Sequence, residues 1–180
     1  MVLLKHLQIF FQTRSLRLVV ILGVIGCIDV AYEWFEIHYS FLAMKSTNVH
    51  VIDGDTIILN NIKVRLKGID APELKQTCQK ANKHYLDCGI YAKIKLLSLV
   101  KGNKVFCSKS GVDKYKRQLS FCYSGGKNLN LELIKDGYAY SYRHQNLVLN
   151  FYELLARQDN KGLWSLAFQK PWEWRREHLK

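Results

Sequence analysis

From residue 48 onward, apolar and polar positions lay out a series of short strands before any helix. Asn48 to Ile52 and Thr56 to Leu59 are rich in β-branched residues, and Asn60 with Asn61 is a turn signal. Ile62, Val64 and Leu66 then alternate with Lys63, Arg65 and Lys67, which puts Arg65 on the polar face of its strand. Gly89 to Val100 carries Ile90, Ile94 and Leu97 at helical spacing. Lys104 to Ser108 and Gln118 to Tyr123 read as a hairpin. Leu129 to Lys135 reads as a short helix stopped by Gly137, and Leu147 to Gln158 as a last helix ended by Asn160, Lys161 and Gly162. Short strands with a few helices and no internal repeat predict an α+β fold around a small closed barrel.

The N-terminus breaks this pattern. Leu18 to Ile28 is an apolar run, preceded by Lys5, Arg14 and Arg17 and followed by Asp29, Glu33 and Glu36. That asymmetry keeps the start of the chain in the cytoplasm and sends the remainder across a membrane. The run is shorter than the ~20 residues of a spanning helix, and extension to Phe35 would enclose a costly Asp29. An uncleaved single-pass anchor is the leading expectation. A lipoprotein lipidated at Cys27 comes next, since Val24-Ile25-Gly26-Cys27 resembles a lipobox; a cleaved signal peptide and a buried helix rank below it. The expected organisation is a cytoplasmic segment at 1–17, an anchor or signal at 18–35, a linker at 36–47, a domain at 48–168 and a basic, Trp- and Arg-rich tail at 169–180.

Charge narrows the partners. The chain is +12, yet residues 1–44 hold three charges of each sign, so the excess belongs entirely to residues 45–180. Such a domain attracts polyanions: nucleic acid first, an anionic membrane surface second. No obligate protein partner is evident. Cys78, Cys88, Cys107 and Cys122 form an even set there, with no CxxC pair and no clustered histidines to suggest zinc. Cys107 and Cys122 could face each other across the predicted hairpin while Cys78 and Cys88 close a shorter loop. Three connectivities are open to four cysteines, and buried reduced thiols are the alternative.

Against this basic background, VIDGDTIILNNIKVRLKGIDAPE gathers Asp53, Asp55, Asp70 and Glu73 around Arg65. Gly54 permits a tight turn between two aspartates, and Pro72 fixes a second bend. If the two bends meet, converging carboxylates call for a cation, and oxygen donors on loops suit Ca²⁺ or Mg²⁺. Taken singly, each bend is an ordinary Asp- and Gly-containing turn.

DGDT, then Arg65, Asp70, Pro72 and Glu73, then Asp113, Lys114, Tyr115 and Arg117 resemble the staphylococcal nuclease, or thermonuclease, family from about Val49 to Trp164. The resemblance implies an OB-type five-stranded barrel with about three helices. It also implies a calcium ion held by Asp55, Asp70 and the backbone carbonyl of Ala71, with Arg65, Glu73 and Arg117 as catalytic side chains. The QTC, LDC and PWEWR elements are similar to an exported bacterial branch of the family, which favours disulfides and membrane attachment. Two departures stand out: Ala71 replaces a threonine, and Lys116 replaces a glycine beside Arg117. Tyr140 and Tyr142 are candidates for base stacking or for packing, and the tryptophans and arginines of the tail for docking on the barrel.

The chemistry suits these residue types. Phosphodiester hydrolysis builds negative charge at phosphorus, and guanidinium supplies permanent charge in a fork that matches phosphate oxygens. The expected function is therefore calcium-dependent endonucleolytic hydrolysis of DNA and/or RNA, outside the cytoplasmic membrane. The rival is a membrane-bound OB module that binds nucleic acid without cleaving it. Retention of all five side chains favours the enzyme.

Overall fold

The computed structural model describes residues 43–144 and 146–178. The apolar run, Cys27 and the topology they imply lie outside the described residues. Among those described, no helix is long and apolar enough to cross a membrane.

Strand β1 (Ala43–Ser46) precedes the meander of β2 (Val49–Val51), β3 (Thr56–Leu59) and β4 (Ile62–Leu66). Asn60 and Asn61 both take positive φ, 50° and 63°, the backbone of a two-residue hairpin whose twist matches its strands. Alternation then sorts the faces. Ile57 lies opposite Val64 and both are fully buried with Leu59 and Leu66, while Thr56 lies opposite Arg65 on the other face.

Gly68, at φ 80°, turns the chain into β5 (Ile69–Asp70). The hairpin of β6 (Cys78–Gln79) and β7 (Tyr85–Leu86) leads to helix α1 (Cys88–Val100) and then β8 (Val105–Ser108). After a loop, β9 (Gln118–Ser120) runs parallel to β4, whereas β10 (Cys122–Ser124) pairs antiparallel with β8. The predicted hairpin is therefore realised only in part: the run from Gln118 changes sheets at Phe121. Strand β11 (Lys127–Asn128) pairs with β10, and helix α2 (Leu129–Lys135) is capped by the Asn128 side chain, which accepts from Leu131 N at 3.1 Å. Strand β12 (Tyr140–Ser141) returns to pair with β5. Helix α3 (Leu147–Gln158) is capped in the same way by Asn146, and a fourth α-helix among the described residues, α4 (Pro171–His178), lies in the segment read as a tail.

The ladders are β1-β8-β10-β11, β2-β3-β4-β9, β5-β12 and β6-β7, and none closes on itself, where a closed barrel was expected. The corner between the large sheets is held by a side chain instead of ladder bonds. Fully buried Asn130 accepts from Cys122 N at 3.0 Å and donates to Lys67 O and Ser120 O, satisfying the backbone where pairing lapses. One core still joins the two large sheets, with Met44, Ile57, Val64, Leu66, Val105 and Leu133 in the same cluster.

Helix α1 carries a further correction. Ile90, Ile94 and Leu97, whose spacing predicts the helix, are exposed, and the buried face is Cys88, Gly89, Ala92, Leu96 and Val100. Small residues face inward because the helix start lies against the loop that carries Glu73. A Cβ on Gly89 would stand 1.8 Å from Glu73 O.

Disulfides join Cys78 to Cys88 and Cys107 to Cys122. The first fastens β6 to the start of α1; the second links directly opposed residues of β8 and β10.

Candidate active site

The acidic cluster is assembled by three close approaches. In the β2–β3 turn, Asp53 Oδ1 accepts from Asp55 N at 3.0 Å and Ile52 N donates to Thr56 O at 2.9 Å. Gly54 sits against the next bend and α1: a Cβ there would come within 2.7 Å of both Ala71 Cβ and Ala92 Cβ. Ala71 N closes the junction by donating to Asp55 Oδ2 at 2.9 Å. The two bends legible in the sequence do meet.

Arg65 reaches into this junction from the polar face of β4. Its Nη1 lies 2.5 Å from Asp55 Oδ1 and its Nη2 2.6 Å from Asp70 Oδ1, and Thr56 Oγ1 also donates to Asp55 Oδ1. Asp55 and Asp70 are buried. Buried charges of this kind persist only when paired and hydrogen-bonded. A second guanidinium, which sequence alone leaves in the tail, completes the pairing. Arg175 Nη2 donates to Asp70 Oδ2 at 2.8 Å, and its Nη1 donates to Asp70 Oδ1 at 3.1 Å and to Glu73 Oε1 at 2.7 Å.

Glu73 owes its place to Gln76. Gln76 N donates to Glu73 O at 2.7 Å, Glu73 N to Gln76 Oε1 at 3.2 Å, and Gln76 Nε2 to Gln169 O just ahead of α4. Burial and the nearby Asp55 charge push the Asp53 carboxyl up to about 6. Burial likewise raises Asp70, and the Asp55 charge adds to this, although Arg175 and Arg65 pull the other way. Both arginines are lowered by burial but carried above their usual range by the carboxylates they hold, Asp55 and Asp70 for Arg65, Asp70 and Glu73 for Arg175.

Arg117 stands apart. Its Nε and Nη2 both lie 2.7 Å from Asp113 Oδ2, while Asp113 Oδ1 accepts from Tyr115 N and Arg117 N at 2.9 Å. The structure thus ties Arg117 within its own loop and gives it no ion pair with the acidic cluster. The loop nevertheless ends on β9, where Leu119 is the cross-strand partner of Arg65. Lys116, in place of the family's glycine, takes φ 62°, so the loop keeps a glycine-like backbone at a strained position. Tyr140 is buried among Trp164, Phe168 and Trp172, with ring centroids 4.6, 5.5 and 5.4 Å away, a packing role and not a base-stacking one.

Two buried carboxylates, one on the β2–β3 turn and one at the end of β5, are hard donors of the kind a divalent cation takes. Asp55 Oδ2 and Asp70 Oδ2 each accept one hydrogen bond here, from Ala71 N and Arg175 Nη2, leaving lone-pair capacity. Among the described residues no three His, Cys, Asp or Glu side chains group closely enough to hold an ion alone. Backbone carbonyl and water would have to complete any such set.

Residues 63–166 match the family described as staphylococcal nuclease homologue. The chain belongs to the staphylococcal nuclease family. An endonuclease of Escherichia coli O157:H7 is 36% identical over 135 residues, covering 71% of this chain and 82% of that protein. The micrococcal nuclease of Shigella flexneri is 35% identical over 146 residues, covering 71% and 78%. An endonuclease of Haemophilus influenzae is 33% identical, covering 72% and 71%. Family membership makes this chain a thermonuclease-like phosphodiesterase with an OB-type α+β fold.

Proposed function

We propose that the chain is a calcium-dependent endonuclease acting on DNA and/or RNA, with the Arg65, Asp55, Asp70 and Glu73 constellation as its centre. The single observation that carries this reading is the Arg65 guanidinium braced between two buried carboxylates with Glu73 alongside. Asp55, Asp70 and the carbonyl of Ala71 are the residues that would hold the cation. When bound, it supplies Lewis acidity and a template for the phosphate. Arg65, held at this centre by Asp55 and Asp70, would supply permanent positive charge to the phosphate oxygens. Glu73, fixed through its backbone by Gln76, accepts or orients the proton of the attacking water. Arg117, released from Asp113, would supply the second guanidinium of the clamp. The basic surface brings the polyanion to this acidic centre.

The disulfides support a position outside the reducing cytoplasm. The proposal of a tether through Leu18 to Ile28 rests on the sequence alone, on the apolar run and the charge asymmetry around it. The test is incubation of the purified full chain with single- and double-stranded DNA and RNA, with Ca²⁺ or with chelator. Chelator-sensitive internal cleavage is expected. Salt-sensitive retention without cleavage would establish the binding module instead.

A further inference from the structure

Helix α4 grips the same two segments that its arginine bridges. Trp172 packs edge-on against Tyr140, the residue paired with Asp70 across β5 and β12. Gln169, just before the helix, accepts from Gln76, which holds the backbone of Glu73. Pro171 is buried at the helix start. From that seat Arg175 reaches Asp70 with both terminal nitrogens and Glu73 with one, while Arg176 on the same helix is exposed. An incidental surface pair is a poor account of this contact, because Asp70 is fully buried and its second oxygen is met by Arg175.

We propose that Arg175 is a positioning residue of the nuclease site: it fixes the Glu73 carboxylate beside Asp70 and contributes one unit of fixed positive charge to the cation's surroundings. This deepens the functional reading above and rests on the roles given there to Asp70 and Glu73. Two consequences point in opposite directions. Freed from Arg175, the Glu73 carboxylate loses its fixed orientation toward the water it directs, and small misplacements in an active site cost rate steeply. The same loss removes a like charge close to the cation, so Ca²⁺ binds more tightly. A residue that merely holds the tail in place would instead weaken both when removed.

The experiment compares Arg175→Ala, Arg175→Lys and the exposed-site control Arg176→Ala in the full chain. Calorimetry with Ca²⁺ alone is read alongside kcat and KM for nucleic-acid cleavage. For Arg175→Ala we expect kcat lower by about 10- to 100-fold with KM little changed. Calcium affinity should rise about tenfold. Added guanidinium at millimolar concentration should restore part of kcat, and Arg175→Lys should fall between Ala and wild type. Unchanged or raised kcat in Arg175→Ala overturns the proposal; a raised kcat would mean that the helix obstructs the site. Weakened calcium binding with a lowered melting temperature and no rescue by guanidinium also overturns it. Should the unmutated chain cleave nothing with Ca²⁺, the functional reading fails, and the calorimetric comparison alone still decides whether Arg175 shares the cation's surroundings.

Discussion

Gly89 and Glu73 touch through backbone, with no room for even a methyl group between helix α1 and the loop that carries the carboxylate. Substitution Gly89→Ala must push the two apart. Overpacking of this kind costs about 1–3 kcal/mol. We expect a lower urea midpoint together with reduced kcat, because the displaced segment bears Glu73. Wild-type values of both would show that α1 does not position the loop.

Arg117→Lys keeps the charge and loses the planar fork. Under saturating Ca²⁺ a rate loss of roughly 10²- to 10³-fold is expected, with nucleic-acid affinity much less affected. Cleavage at the wild-type rate would remove Arg117 from the clamp and leave it a loop-bracing residue of Asp113.

Asp70→Asn preserves shape and deletes a charged donor. Calcium affinity measured by calorimetry should fall about tenfold or more. Equal affinity would sink the cation assignment and reduce the acidic turns to supports for arginine.

Digestion without reduction should yield linked peptides containing Cys78 with Cys88 and Cys107 with Cys122. Replacing Cys107 by Ser is expected to destabilise the domain by about 2–4 kcal/mol, since the link spans 15 residues of unfolded chain. Free thiols or crossed pairs in material from the native compartment would contradict the pairing.

Protease added to spheroplasts of the expressing bacterium should remove the domain. Complete protection would place it in the cytoplasm and undercut the tether.

Local chemistry was the legible part of this chain. The Asn60-Asn61 hairpin could be read because two adjacent positive-φ residues flanked by alternating apolar ones have few other uses. The acidic bends were legible for a similar reason, as Gly54 permits a tight turn and Pro72 fixes the backbone beside the carboxylates. Long-range arrangement was not. The inward face of α1 is hidden in the sequence because Gly89 and Ala92 carry no hydrophobic signal, and their smallness acquires meaning only against the Glu73 loop. The sheet change at Phe121 depends on Asn130, whose side chain substitutes for backbone pairing and leaves no periodic trace. Arg175 was visible only as one arginine in a basic tail. Its signal was the neighbouring Pro171 and Trp172, apolar anchors that a freely solvated tail has no need of.

The contact between Arg175 and Glu73 spans 102 positions of sequence. A chain leaving the ribosome or a translocation channel from its N-terminus presents the acidic turns long before the arginine that completes their pairing. Until α4 emerges, Asp70 lacks one of its two guanidinium partners and Glu73 lacks its bridge. On the role proposed for Arg175, a copy clipped between β12 and α4 keeps the acidic cluster and loses the guanidinium that bridges Asp70 to Glu73.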